Sequence, residues 1–137
     1  MYKVTKEIPF CYGHRLLNSD GKCCHPHGHN GKCEIEVSSS RLDERGMVFD
    51  FEDIKKTVHT WIDDELDHKM LLNRADPLVD VFRKMGEPIF VMESNPTAEA
   101  IAKVIFDYAV SQKLPVSEVR LWETPHSFAA YRAPAVR

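Results

Sequence analysis

The residues best suited to chemistry crowd into the first quarter of the chain. In His27-Gly28-His29 the two imidazoles lie two residues apart, so in extended backbone both point to one side and can share a single ion. Gly28 between them adds no bulk. His14 lies on a segment that reads as a strand preceding this pair, so the opposite strand of one hairpin can deliver a third nitrogen ligand. Three imidazoles suit Zn²⁺ and leave one tetrahedral position open for water or substrate. Cys23 or Cys24 could instead close that position and make the site structural. His25 is a spare donor beside Pro26, whose restrained backbone can aim it elsewhere.

Cys23 stands four residues before His27, where a cation and nearby imidazoles favour its thiolate and fit it to act as a base. Cys11 and Cys33 read as small buried apolar residues. In Asp67-His68 a carboxylate adjoins an imidazole, an arrangement that can set a tautomer for proton transfer or simply end a helix. Glu123 closes the apolar run Val119-Arg120-Leu121-Trp122. It can pair with Arg120 or Arg132, or accept two parallel N–H bonds from a guanidine-like heterocycle.

These residues need elements to hold them. Lys3 to Leu16 reads as a strand with Phe10, Tyr12, His14 and Leu16 on one face. A turn at Asn18-Ser19-Asp20-Gly21 and the Cys/His segment lead to a second strand over about 31–42, pairing with the first as an antiparallel hairpin. Asp50 caps a helix over 51–66 with Phe51, Ile54, Val58, Trp61, Ile62 and Leu66 at helical spacing. Residues 69–94 read as an irregular excursion holding a short helix near 78–85. Asn95 as cap and Pro96 in the first turn start a second long helix, running to about Gln112. Strands over 116–123 and 127–132 close the chain around a turn at Thr124-Pro125-His126. The order predicts an α+β fold, a four-stranded antiparallel sheet with two helices on one face.

The composition sets outer bounds. The 137 residues, 43% hydrophobic and 28% charged, fit one domain spanning 1–137. A net charge of −3 gives no general reason to bind nucleic acid or an anionic membrane. The charged start and the lack of any long apolar run predict a cytoplasmic protein with free thiols.

The set Phe10-x-x-x-His14-Arg15-Leu16, Lys22-Cys23-x-x-x-His27-Gly28-His29, Gly46-Met47-Val48-x-Asp50-Phe51, Leu66-Asp67-His68, Asn95-Pro96-Thr97-x-Glu99 and Glu123-Thr124 covers nearly the whole chain. Together, in this order, these motifs resemble the 6-pyruvoyl-tetrahydropterin synthase family. The resemblance implies the tunnelling fold (T-fold) in the order ββααββ. It also implies a homo-oligomer in which three subunits join sheets into a barrel and two trimers stack into a hexamer. Zinc would sit on His14, His27 and His29, the catalytic thiol on Cys23, and the proton relay on His68 with Asp67. Glu123 would anchor the pterin and share in the relay, and Thr97 would lie near the pterin pocket.

The substrate this implies is 7,8-dihydroneopterin triphosphate. The Cys23-x-x-x-His27 spacing looks like the 6-carboxy-5,6,7,8-tetrahydropterin synthase branch, a lyase of queuosine and deazapurine biosynthesis that releases acetaldehyde and triphosphate. The alternatives are 6-pyruvoyl-tetrahydropterin synthase chemistry, which stops at triphosphate loss and internal rearrangement, and a non-catalytic zinc or pterin-binding module. Three departures stand out: Cys24 and His25 crowd the metal segment, Cys11-Tyr12-Gly13 replaces the small residues common before the first ligand, and residues 69–94 exceed the compact connection of short members.

Overall fold

The computed structural model describes residues 1–134. Alternating burial shapes the hairpin of β1 (Tyr2–His14) and β2 (His27–Ser39). Ile8, Phe10, Tyr12 and His14 on one strand and Cys33, Ile35 and Val37 on the other turn inward, while the intervening residues face away. The strands pair antiparallel over their whole length, with His14 opposite His27 and Tyr12 opposite His29. β5 (Val116–Thr124) joins the far side of β2, and β6 (Ser127–Tyr131) joins β5, both antiparallel as predicted.

Helix α1 spans residues 51–65 and begins where the Asp50 side chain accepts the Glu52 N–H at 2.9 Å. Its two α-helical stretches, Phe51–Ile54 and Thr60–Glu65, flank a π-helical turn at Lys55–His59. Ile54, Val58, Ile62 and Leu66 recur every four residues and are all fully buried. In an ideal helix each four-residue step drifts by about 40°, so the wider π turn keeps this stripe aimed at the sheet.

The sheet is larger than predicted. Residues 69–94, read above as irregular, form β3 (Lys69–Asn73), α2 (Leu78–Met85) and β4 (Ile89–Met92). β3 runs parallel to β1 and β4 parallel to β3, so the sheet has six strands in the order β4-β3-β1-β2-β5-β6 and is mixed, not a four-stranded antiparallel one. The physical reason lies in two short apolar runs, Met70-Leu71-Leu72 and Ile89-Phe90-Val91-Met92, whose backbones take ladder partners from β1 and from each other. The short helix at 78–85 is present and ends at Gly86 with φ of +74°, a left-handed position that suits glycine.

Helix α3 (Ala98–Ser111) also starts later than predicted. Its cap is Thr97, whose hydroxyl accepts the Ala100 N–H at 3.1 Å. Asn95 is engaged elsewhere: its side chain accepts the Leu17 N–H at 3.0 Å and donates to the Leu17 carbonyl at 2.9 Å. Ile101, Ala102, Ile105, Phe106 and Ala109 of α3 share one core with the α1 stripe and the inward faces of β1, β2 and β5. No helix among the described residues is long and apolar enough to cross a membrane.

Candidate metal centre

At one end of this covered face the alternation of β1 and β2 brings three imidazoles together. Pairing of His14 with His27, and of Tyr12 with His29, puts ligand nitrogens of all three histidines within 4.8 Å of one another. Ring centroids lie 4.5 Å apart for His14 and His27 and 5.0 Å for His14 and His29. His14 is 2% exposed, and its Nδ1–H donates to the Pro96 carbonyl at 2.6 Å. His27 Nδ1–H donates to the His25 carbonyl at 2.7 Å. Both bonds hold the rings in the tautomer whose Nε2 carries the lone pair. His29 Nε2 stands 3.2 Å from His14 Nε2, a separation that requires a cation or a proton between them.

Burial pushes His14 below the ordinary imidazole range, with the Pro96 bond opposing it. A neutral, buried, carbonyl-oriented imidazole such as His14 suits a divalent metal, His27 shares the carbonyl restraint, and three imidazoles together leave a further position open. The donor set therefore fits Zn²⁺. Cys24 and His25 do not join the group, and His25 supplies only its carbonyl.

Glu123 sits on the inward parity of β5 with Val119 and Leu121, and its carboxylate lies 4.0 Å from His14 Nε2. The arginine partners considered from sequence are occupied elsewhere. Arg120 bonds Glu36 and Glu118, and Arg132 bonds Glu118. Glu123 is thus left as an acceptor beside the three histidines, with 30% of its side chain exposed. Thr97 is near this corner through Pro96, but its hydroxyl is committed to the α3 cap.

Asp67 and His68 form a separate group. His68 Nδ1–H donates to Asp67 Oδ2 at 2.8 Å, and Asp67 Oδ1 accepts the Cys11 N–H at 2.9 Å. Burial works to raise the Asp67 carboxyl, but these bonds carry it below its usual range. His68 adopts φ of +59°, a strained choice for a non-glycine residue, fixed by its N–H donating to the Cys11 carbonyl at 2.7 Å. Cys11 is not the buried apolar residue expected from sequence: it is half-buried, and its sulfur lies within 4.8 Å of both Asp67 and His68. Cys33 is buried as expected, and burial pushes its thiol up.

Cys11, Gly13, Gly28, Asn30, His68 and Met70 line a cavity of about 650 Å³ that also touches His27 and His29. Cys23 lies on an exposed 3₁₀ turn, Lys22–Cys24, and joins neither group. Its loop is nevertheless tied down. The Leu16 N–H donates to the Cys23 carbonyl at 2.8 Å, Asn95 holds Leu17, and Arg15 forms a two-pronged pair with the buried Asp76 at 2.6 and 2.5 Å. Sequence reasoning missed that anchoring pair, as it missed Tyr12, whose buried hydroxyl has no hydrogen-bond partner among the described residues.

A sequence model of 6-pyruvoyl tetrahydropterin synthase matches residues 3–134. Relatives named 6-carboxy-5,6,7,8-tetrahydropterin synthase include one from Rickettsia bellii, 35% identical over 93% of this chain and 98% of its own. Another, from Haemophilus influenzae, is 35% identical over 96% of this chain and 99% of its own. Among solved structures, an uncharacterized protein from Wolinella succinogenes superposes with a TM-score of 0.80 at 27% identity, covering 97% of this chain and 98% of that one. The 6-pyruvoyl tetrahydropterin synthase of Caenorhabditis elegans does so with a TM-score of 0.70 at 25% identity, covering 98% of each.

Proposed function

The chain belongs to the 6-pyruvoyl tetrahydropterin synthase family, and from that premise we propose that it is a zinc-dependent cytoplasmic lyase. Its substrate is 7,8-dihydroneopterin triphosphate, and its products are 6-carboxy-5,6,7,8-tetrahydropterin, acetaldehyde and triphosphate. The observation that carries this reading is the convergence of His14, His27 and His29 beside Glu123, which has no arginine or lysine partner among the described residues, in a chain whose relatives bear the carboxytetrahydropterin synthase name.

His14, His27 and His29 would hold the metal, which when bound supplies Lewis-acid polarisation of a substrate oxygen. Glu123 accepts N–H bonds from the guanidine-like edge of the pterin and so sets the ring's orientation. Cys23 takes a proton from the first side-chain carbon, and His68, held by Asp67, gives or takes one at a side-chain hydroxyl.

Cys23 and the Asp67-His68 pair do not meet within one chain, which favours a homo-oligomer, a hexamer of two stacked trimers, whose active sites combine the thiol of one subunit with the dyad of another.

The test is mass spectrometry of products after zinc-loaded protein meets 7,8-dihydroneopterin triphosphate. Carboxytetrahydropterin with acetaldehyde is the expected result. Pyruvoyltetrahydropterin would move the chain to the other branch of the family, and unchanged substrate would favour a binding module.

A further inference from the structure

Tyr12 packs beside His14 and His29 but has no role in the proposed chemistry. It is 3% exposed, its ring meets His14 edge-on with centroids 5.2 Å apart, and it lies 5.6 Å from the ring of His29. The ring crosses Gly31 on the neighbouring strand toward β5. A Cβ on Gly31 would come within 3.0 Å of Tyr12 Cε1 and 3.3 Å of the Trp122 carbonyl, so the glycine makes room for the phenol. Lys32 pairs with Trp122, and the residues beside that pair are Gly31 and Glu123. The ring therefore extends over Gly31 toward the stretch of β5 that carries Trp122 and Glu123.

At the end of this ring is a buried hydroxyl with no partner among the described residues. Such a group costs about 1–3 kcal/mol when it stays unsatisfied, so a protein rarely keeps one without use. A phenol is protonated at neutral pH and can donate, and a carboxylate can only accept. Glu123 is an acceptor here with no arginine partner among the described residues, since Arg120 and Arg132 are committed to other carboxylates.

We propose that Tyr12 is a positioning residue whose hydroxyl donates to the Glu123 carboxylate when the site is occupied, fixing the carboxylate to receive the N–H groups of the ligand. This rests on the pterin reading above, in which Glu123 faces the guanidine-like edge. With 30% of its side chain exposed, Glu123 can turn to meet the phenol. The consequence is order: an acceptor held from behind presents both oxygens in one direction, which a freely rotating carboxylate does not.

The experiment uses zinc-loaded full-length protein, unphosphorylated 7,8-dihydroneopterin as probe, and calorimetric titration of wild type, Y12F, E123Q and the double variant. Y12F should weaken pterin binding roughly tenfold, the loss of one hydrogen bond to a charged group. Its zinc content should be unchanged and its Tm equal or higher, because the unsatisfied hydroxyl is gone. In the E123Q background the same substitution should change affinity little, since the partner it positions is altered. Three results overturn the proposal: Y12F binds as wild type does, its loss adds in full to that of E123Q, or its binding falls only together with Tm and zinc content. A wild-type protein that binds no pterin would overturn the reading of the site, and this inference with it.

Discussion

Each histidine of the centre is held by a different restraint, and the restraints determine what removing one does. His14 is clamped from behind by the Pro96 carbonyl and His27 by the His25 carbonyl, whereas His29 is placed by its pairing with Tyr12. His29→Ala should leave the fold intact and reduce bound zinc from about one ion per chain toward none after dialysis against a chelator, read by metal analysis. Cys23→Ala should do the opposite. Zinc should stay and kcat should fall about 10²–10⁴-fold, the range for loss of a general base. Zinc loss from that variant would mean the thiol closes the coordination sphere. The grouping of the three histidines was legible in the sequence because a two-residue period dictates which side chains share a face. Tyr12 was not, since a buried aromatic between Phe10 and His14 reads as core and only its close approach to Gly31 shows where its ring goes. Cys11 was misread for a related reason: its neighbours come from the turn that leads into β3, a strand the sequence did not reveal.

That strand and its partner were hidden by length and by topology. Met70 to Leu72 and Ile89 to Met92 are each too short to show a period, and parallel pairing leaves no hairpin turn to mark it. The hairpin of β1 and β2, thirteen residues on each side, announced itself. What ties the hidden unit to the site is the Arg15–Asp76 pair, which joins the end of β1 to the start of α2. Asp76 also accepts the Leu78 N–H at 2.9 Å. The Arg15 guanidinium holds the Asp76 carboxyl below the usual carboxylate range. A carboxyl depressed in the folded state contributes stability that is fully present above its unfolded pKa, about 3.9, and lost as pH falls through the folded value. Arg15→Ala strands a buried carboxylate and should cost about 3 kcal/mol in urea unfolding at neutral pH, the low end for breaking a buried pair. The difference from wild type should shrink in acid as Asp76 becomes protonated in both proteins. A gap that stayed constant down to strongly acidic pH would show that the pair stabilises by packing, not by charge.

Over the whole molecule the chemistry is divided, with three histidines at one end of the β1–β2 hairpin, a histidine–aspartate dyad beside Cys11, and a thiol on an exposed turn that belongs to neither. The sheet has two open edges, β4 and β6, at opposite ends of the strand order. Edges that differ cannot pair by a two-fold; joined head to tail they close a ring and cover the unpaired backbone. In the proposed assembly such joints bring Cys23 of one subunit to Asp67-His68 of another, which the single chain does not do. Mixing tests that division directly. Cys23→Ala and His68→Ala proteins should each be nearly inactive alone, but unfolded together and reassembled in equal amounts they should recover roughly a quarter of wild-type turnover, the share of joints that pair an intact thiol with an intact dyad. Assembly by size-exclusion chromatography should be the same for both variants and the mixture, because neither substitution touches an edge strand. Recovery no greater than the sum of the two separate activities would place the thiol and dyad of each site in one chain, and the exposed turn carrying Cys23 would then have to fold across the sheet to reach His68.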